Sequence, residues 1–209
     1  MKQNFELRNA ALNLLKGNWT DVVVLFLLIG LSQAIVNTII AFFIPEEFGG
    51  ISTLAVNILF FYPLIYVFKM HLMAFSAEGK RIVLSEYIDN FKKQYSRAVP
   101  VMGLICLYVM LWTLLLIIPG IIKGYSYAMA SYISIDNKEL SAEECIQRSM
   151  KMMQGHKMQL FLLDLSFFGW VILSILTLGI GLLWLTPYIE TTRVKFYEDL
   201  KAQQAQIEE

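Results

Sequence analysis

Charge is what this chain has least of. Asp, Glu, Lys and Arg make up 16% of its 209 residues, against 57% hydrophobic; a soluble domain carries about 25% charged residues. A small water-exposed fold has too much surface to hide such an excess, which argues against a soluble enzyme or binding domain and for a bilayer as solvent. Cysteine and histidine are scarce too, two of each. Cys106 and Cys145 supply neither a disulfide framework nor zinc spacing. His71 and His156 have no ligand-spaced partners, so no metal and no cofactor is expected. Lys plus Arg equals Asp plus Glu at 17 each, and no overall basicity speaks for nucleic acid. The opening Met1-Lys2-Gln3-Asn4-Phe5-Glu6 lacks the apolar core of a signal peptide. The first apolar span is therefore expected to act as its own uncleaved insertion signal.

Long apolar runs are what the chain does have. A bilayer core of about 30 Å takes about 20 helical residues. Residues 22–44, 51–75, 98–118 and 158–178 meet that length. Two shorter runs, 121–135 and 182–196, contain charges or hydroxyls. Counting them as crossings keeps Lys138, Arg148, Lys151 and Lys157 on the cytoplasmic side, as the positive-inside rule requires. The resulting expectation is an all-α polytopic bundle of about six spans, arranged as three hairpins, with both termini cytoplasmic in a bacterial inner membrane. The tips at 45–50, 118–121 and 177–181 hold no Lys or Arg. Fifteen of the 17 flank the other ends, leaving only Lys69 and Lys123.

Amphipathic stretches separate the hairpins. Residues 5–17 gather Leu7, Ala11, Leu14 and Leu15; residues 85–95 place Ile88, Phe91 and Tyr95 opposite Asp89, Lys92 and Lys93. Residues 141–155 open with Ser141-Ala142-Glu143-Glu144, a helix cap with carboxylates in the first turn. Such helices are expected to lie in the membrane interface. Prolines 63, 119 and 187 mark the returning spans, and a basic residue follows each: Lys69, Lys123 and Arg193. The pattern predicts pseudo-repeats at roughly 1–80, 81–137 and 138–209 within one integral membrane domain, 1–209.

The stretch Leu114-Leu115-Leu116-Ile117-Ile118-Pro119-Gly120-Ile121-Ile122-Lys123 begins a longer pattern. Tyr125-Ser126-Tyr127, Asp136-Asn137, Leu140-Ser141-Ala142, Ser149, Met152-Met153 and Gly155-His156-Lys157 follow. Leu165-Ser166-Phe167, Gly169-Trp170, residues 176–181 and Pro187-Tyr188-Ile189 complete it. From about Trp112 to Leu200 this resembles a bacterial membrane family of unknown function, domain of unknown function 975, with Cys145 where alanine is expected. The N-terminal half matches less closely. A looser likeness runs to membrane domains attached to some glycerophosphodiester phosphodiesterases. The resemblance implies a fold and a membrane location but no activity.

Ionisable residues inside spans are functional candidates by default. Asp164 stands about 9 Å above its cytoplasmic end and Arg193 about 17 Å below its outer turn, nearly one level in a 30 Å slab. They are expected to pair, with Glu190 one turn from Arg193 and Lys123 near the outer third completing an intramembrane polar cluster. Lys69 is expected to snorkel to the cytoplasmic edge. Glu143-Glu144 with Arg148 imitates a motif of intramembrane proteases, but on a surface helix it is a chance match. Trp19 and Trp184 suit opposite interfacial belts, with Trp112 and Trp170 deeper. Ala128, Ala130 and Ser131 allow close helix approach. Phe91, Lys92, Lys93, Tyr95 and Arg97 beside a span point to anionic lipid headgroups rather than nucleic acid.

No nucleophile–base pair is visible, so an enzyme ranks last. The first expectation is a non-enzymatic membrane module that contacts lipids, membrane proteins or a second copy of itself. The second is a small transporter centred on Lys123, Asp164, Glu190 and Arg193.

Overall fold

A computed structural model describes residues 2–79 and 83–208; Lys80 and Arg81, two of the flanking cations, lie outside them. The described chain is 86% helical without strands. Helix α1 (Asn4–Leu15) precedes α2 (Trp19–Phe43). After Pro45 come α3 (Glu46–Val56), a π-helical turn at Asn57–Phe61, and α4 (Tyr62–Glu78), which run as one rod. Helix α5 covers Leu84–Leu115, α6 Ile117–Tyr127 and α7 Ala130–Asp136. Helix α8 (Ala142–Met152) leads to α9 (Lys157–Leu165), α10 (Phe168–Leu176) and α11 (Leu182–Glu208).

Four of these rods are long and apolar enough to cross a membrane: Trp19–Phe43, Glu46–Glu78, Leu84–Leu115 and Lys157–Leu176. The two shorter runs do not meet that measure. The first breaks at Ala128–Met129 between α6 and α7, and the second forms the start of α11. Large apolar side chains cover the outside: Phe42, Ile51, Leu114, Ile118 and Leu176 are each more than 70% exposed. In water such a surface would cause aggregation; it fits a membrane protein.

The amphipathic stretches differ in how they pack. Helix α1 buries Leu7, Ala11 and Leu15 and packs mainly on α11. The Lys2 amide donates to Asp199 at 2.9 Å, and the Asn4 side chain reaches the Gln159 carbonyl at 3.4 Å. Residues 85–95 form no separate helix: with no glycine or proline before Pro100, the backbone continues as one 32-residue helix. Helix α8 buries Cys145, Ile146, Ser149 and Met152. In α1 and α8 the apolar stripe meets other helices, which offer close packing, whereas Ile88 and Tyr95 near the start of α5 are exposed.

Breaks in the helices are held by specific groups. Ser141 caps α8, accepting from the Glu144 amide while Glu144 Oε2 accepts from the Ser141 amide at 2.8 Å. Hydrogen bonds donated by the Ser141 hydroxyl, at 2.7 Å, and by its amide hold the Glu144 carboxyl below the usual carboxylate range. Buried Ser149 donates to the Ser126 carbonyl at 2.8 Å and accepts the Met129 amide at 3.2 Å, serving the break between α6 and α7. Arg97 closes the end of α7, donating to the carbonyls of Ser134, Asn137, Lys138 and Leu140.

Two helix tips share a contact. A Cβ at Gly120 would lie 2.8 Å from Thr113 Cα, and one at Gly181 would lie 3.0 Å from Ser174 Cα. Both glycines stand seven residues beyond a hydroxylated partner, where only hydrogen fits against the preceding helix.

Candidate functional site

The polar centre joins α4, α6, α7, α9 and α11. A charged side chain that faces a neighbouring helix inside an apolar bundle must find its partner there. Arg193 grips Asp164 with two donors, Nη2 to Oδ2 at 2.9 Å and Nε to Oδ1 at 3.3 Å. Its third nitrogen, Nη1, reaches Glu190 Oε1 at 3.4 Å. Lys69 Nζ lies 3.7 Å from Glu190 Oε2. Tyr125 donates to Asp164 and Tyr132 to Glu190, each at 3.2 Å. Lys69 also stands over the Tyr132 ring, 4.9 Å from its centroid, a favourable cation–π position. Burial grades across the group. The Lys69 and Glu190 side chains are 12% and 13% exposed, while Arg193 is 34%.

The four sequence candidates are thus divided. Asp164, Glu190 and Arg193 meet in one network. Lys123 stands apart, with Nζ 4.6 Å from the centre of the Trp112 ring; the indole face satisfies a cation that hydropathy alone placed with the carboxylates. Lys69 corrects a second expectation. It does not snorkel but turns inward to Glu190, because α4 lies against α11 with its polar face directed at that carboxylate. A signal for this existed: Lys69 and Arg193 each follow a proline by six residues.

The network is charge-balanced, two cations and two carboxylates. Beside it lies a cavity of about 400 Å³, lined by Lys69, Asp164, Arg193, Tyr125, Tyr132 and Ser131 among others. Towards the end of α11, Tyr197 and Lys201 both donate to Asp136 Oδ2 at 2.7 Å. Lys195 donates to Ser76 at 2.7 Å and to Glu198 at 3.0 Å. Burial pushes the Tyr197 hydroxyl up, and that hydrogen bond adds to the shift.

Sequence reasoning missed one polar group. Gln33 Nε2 donates to Asn57 Oδ1 at 2.7 Å and to Asn37 Oδ1 at 3.3 Å, linking α2 to the π-helical turn. Gln33 Oε1 is buried without a partner among the described residues. The extra residue of a π turn interrupts the regular ladder at the point where Asn57 faces Gln33. Neutral amides inside a long apolar run were the available signal.

Each carboxylate of the network is engaged by a cation and a tyrosine. The two cysteines are free, and burial raises the pKa of Cys145, on α8, so that it stays a thiol. Among the described residues, no group of three or more His, Cys, Asp and Glu side chains is arranged to hold a metal.

Comparisons with curated proteins and with solved structures find no match. A family model described as protein of unknown function (DUF975) matches residues 51–204, beginning well ahead of the motif-rich stretch at Trp112. That match spans most of the length, from the third helix into the last, and the chain belongs to the DUF975 family.

Proposed function

We propose that the protein is a non-enzymatic integral membrane module, crossing a bacterial cell membrane about six times with both termini in the cytoplasm. Its polar centre fastens helices together, and its apolar exterior and basic cytoplasmic edge meet lipids or other membrane proteins. The observation carrying this reading is the closed charge balance of Lys69, Arg193, Asp164 and Glu190. Every charged group there is matched, as expected where an unmatched one would be expelled from lipid.

The shorter runs support six crossings in outline. Helices α6 and α7 with their break cover residues 117–136, about 30 Å of helix, and α11 is 27 residues long. The basic edge is supported by a cleft of about 650 Å³ lined by Arg148, Lys151 and Lys201, a setting suited to anionic headgroups.

The test combines topology with transport. Full-length protein is expected to stay with membranes after alkaline extraction. Single cysteines placed at 141–155 should react with impermeant reagents only from the cytoplasmic side. Recovery as a detergent-free soluble monomer overturns the membrane reading, and labelling of that stretch from outside overturns the topology.

A second reading rests on the cavity beside Arg193, where Lys69, Asp164 and Arg193 face an otherwise mostly apolar lining and offer charged partners to a small polar solute. Proteoliposomes that take up ions or small organic acids faster than empty ones, and lose this with Asp164→Asn, would favour the transporter over the fastener.

A further inference from the structure

The basic cleft of about 650 Å³ is built where three helices come together. Helix α8 presses Cys145, Ile146 and Ser149 against its neighbours, while Arg148 and Lys151, one turn apart, line the cleft. Tyr197, Lys201 and Gln204, at helical spacing along α11, supply a second wall, and Asn137 stands at the end of α7. Tyr197 and Lys201 both donate to Asp136 Oδ2 at 2.7 Å. That bond pair braces α7 against α11 and uses neither cation of α8.

The cations of the cleft are not spent alike. Lys201 is paired with Asp136 yet 60% exposed, and one hydrogen bond leaves an ammonium with further donors. Among the described residues Arg148 and Lys151 make no ion pair and no hydrogen bond. The carboxylates nearest them along α8 are engaged elsewhere: Glu144 accepts from Ser141, and Glu143 from Tyr108 at 2.8 Å. Two cations in the cleft therefore lack a counter-ion, the reverse of the ion network, where Lys69 and Arg193 are both matched. A guanidinium fork beside an ammonium suits the oxygens of a phosphate. A phosphate monoester carries close to two negative charges above its second pKa of about 6, enough to balance both.

We infer that the cleft between α7, α8 and α11 binds a phosphate monoester dianion, held by Arg148 and Lys151 with Lys201 as a further donor. The inference rests on the membrane reading above, and it narrows the anionic contact of the basic edge to one charge class at named residues. On that reading the α8 and α11 walls belong to the cytoplasmic side, where such a group is carried either by a lipid or by a soluble phosphoester.

Purified full-length protein in non-ionic detergent at pH 8 provides the test. It is titrated with dioctanoyl phosphatidic acid, a monoester, and separately with dioctanoyl phosphatidylglycerol, a diester with one charge. Bound lipid is counted by native mass spectrometry. The monoester is expected to bind about fivefold tighter, the ratio that one further charge pair at about 1 kcal/mol per basic residue implies. Arg148→Gln and Lys151→Gln should each bring the two lipids close to level. Lys92→Gln, which removes an exposed cation of α5 that does not line the cleft, should leave the preference intact. Unchanged thermal exposure of Cys145 shows that each variant is folded.

Glycerol 3-phosphate, added as competitor, separates the two carriers. Displacement of phosphatidic acid at comparable concentration supports a soluble phosphoester, and displacement only at a hundredfold excess or more supports a lipid. Equal binding of the two lipids by the parent overturns the inference, as does the absence of binding by folded protein. A preference that survives both α8 substitutions, or falls as far with Lys92→Gln, also overturns it, the attraction then being spread over the whole basic edge. Alkaline extraction reads membrane insertion separately, and recovery of a soluble monomer would count against the membrane reading instead.

Discussion

Replacing Glu190 should damage the fold more than replacing either residue of the shorter ion pair. Among the described residues Lys69 has one carboxylate within reach, at 3.7 Å, and its side chain is only 12% exposed. Glu190→Gln would leave that ammonium buried beside Arg193, a second cation, with no anion of its own. Stranding one member of a buried pair costs about 3–5 kcal/mol. Asp164→Asn is milder. Arg193 keeps Glu190 at 3.4 Å, so it retains a counter-ion and the loss should be about 1 kcal/mol. Removing the stranded charge as well, in Lys69→Met/Glu190→Gln, should bring the total back to about 1–2 kcal/mol. Thermal unfolding of purified protein in detergent reads the order, using a thiol-reactive dye that reports exposure of buried Cys145 in a Cys106→Ser background. For a chain of this size the drop should be on the order of 10 °C for Glu190→Gln and a few degrees for Asp164→Asn. Asp164→Asn equalling Glu190→Gln, or a double variant as unstable as the sum of its singles, would refute the balanced-network reasoning.

Other substitutions probe the joints of the fold in the same assay. Gly120→Ala or Gly181→Ala should each destabilise by about 1–3 kcal/mol, since the added methyl meets backbone at 2.8 and 3.0 Å; unchanged melting would mean that the tips open freely. Arg97→Lys should lose about 2 kcal/mol despite keeping its charge, because an ammonium cannot reach four carbonyls spread across the end of α7. Ser149→Ala should cost about 1–3 kcal/mol by stranding the buried Met129 amide, visible as faster amide exchange at residues 128–130. The Glu144 carboxyl is held low in the folded protein, so its cap is complete above the ordinary carboxylate pKa and is lost as pH falls through the lowered value. Amide exchange in the first turn of α8 should rise in that acid window, and Glu144→Gln should abolish the pH dependence.

Much of the architecture was legible before any coordinates. Apolar runs longer than a bilayer core, bounded by Pro45, Pro119-Gly120 and the glycines near 180, predicted helical rods, and four rods of that kind are present. The Ser141 cap was equally readable, because capping is settled within four residues. The meeting of Asp164 and Arg193 came from counting rise along two adjacent helices, a calculation that needs no knowledge of the other helices. Lys69 escaped for that reason. Its partner lies 121 positions away, on a helix that only packing brings alongside.

Composition and periodicity by themselves determined that this chain is helical, which stretches are too apolar for water, and where the helices turn, since all of these depend on free energies summed over near neighbours. Which stripe faces which was decided by the tertiary structure alone. It turned the apolar stripes of α1 and α8 towards other helices, gave Lys123 to Trp112 and brought Lys69 to Glu190. Charges and rings choose partners by distance in space, and distance in space is set by how whole helices pack.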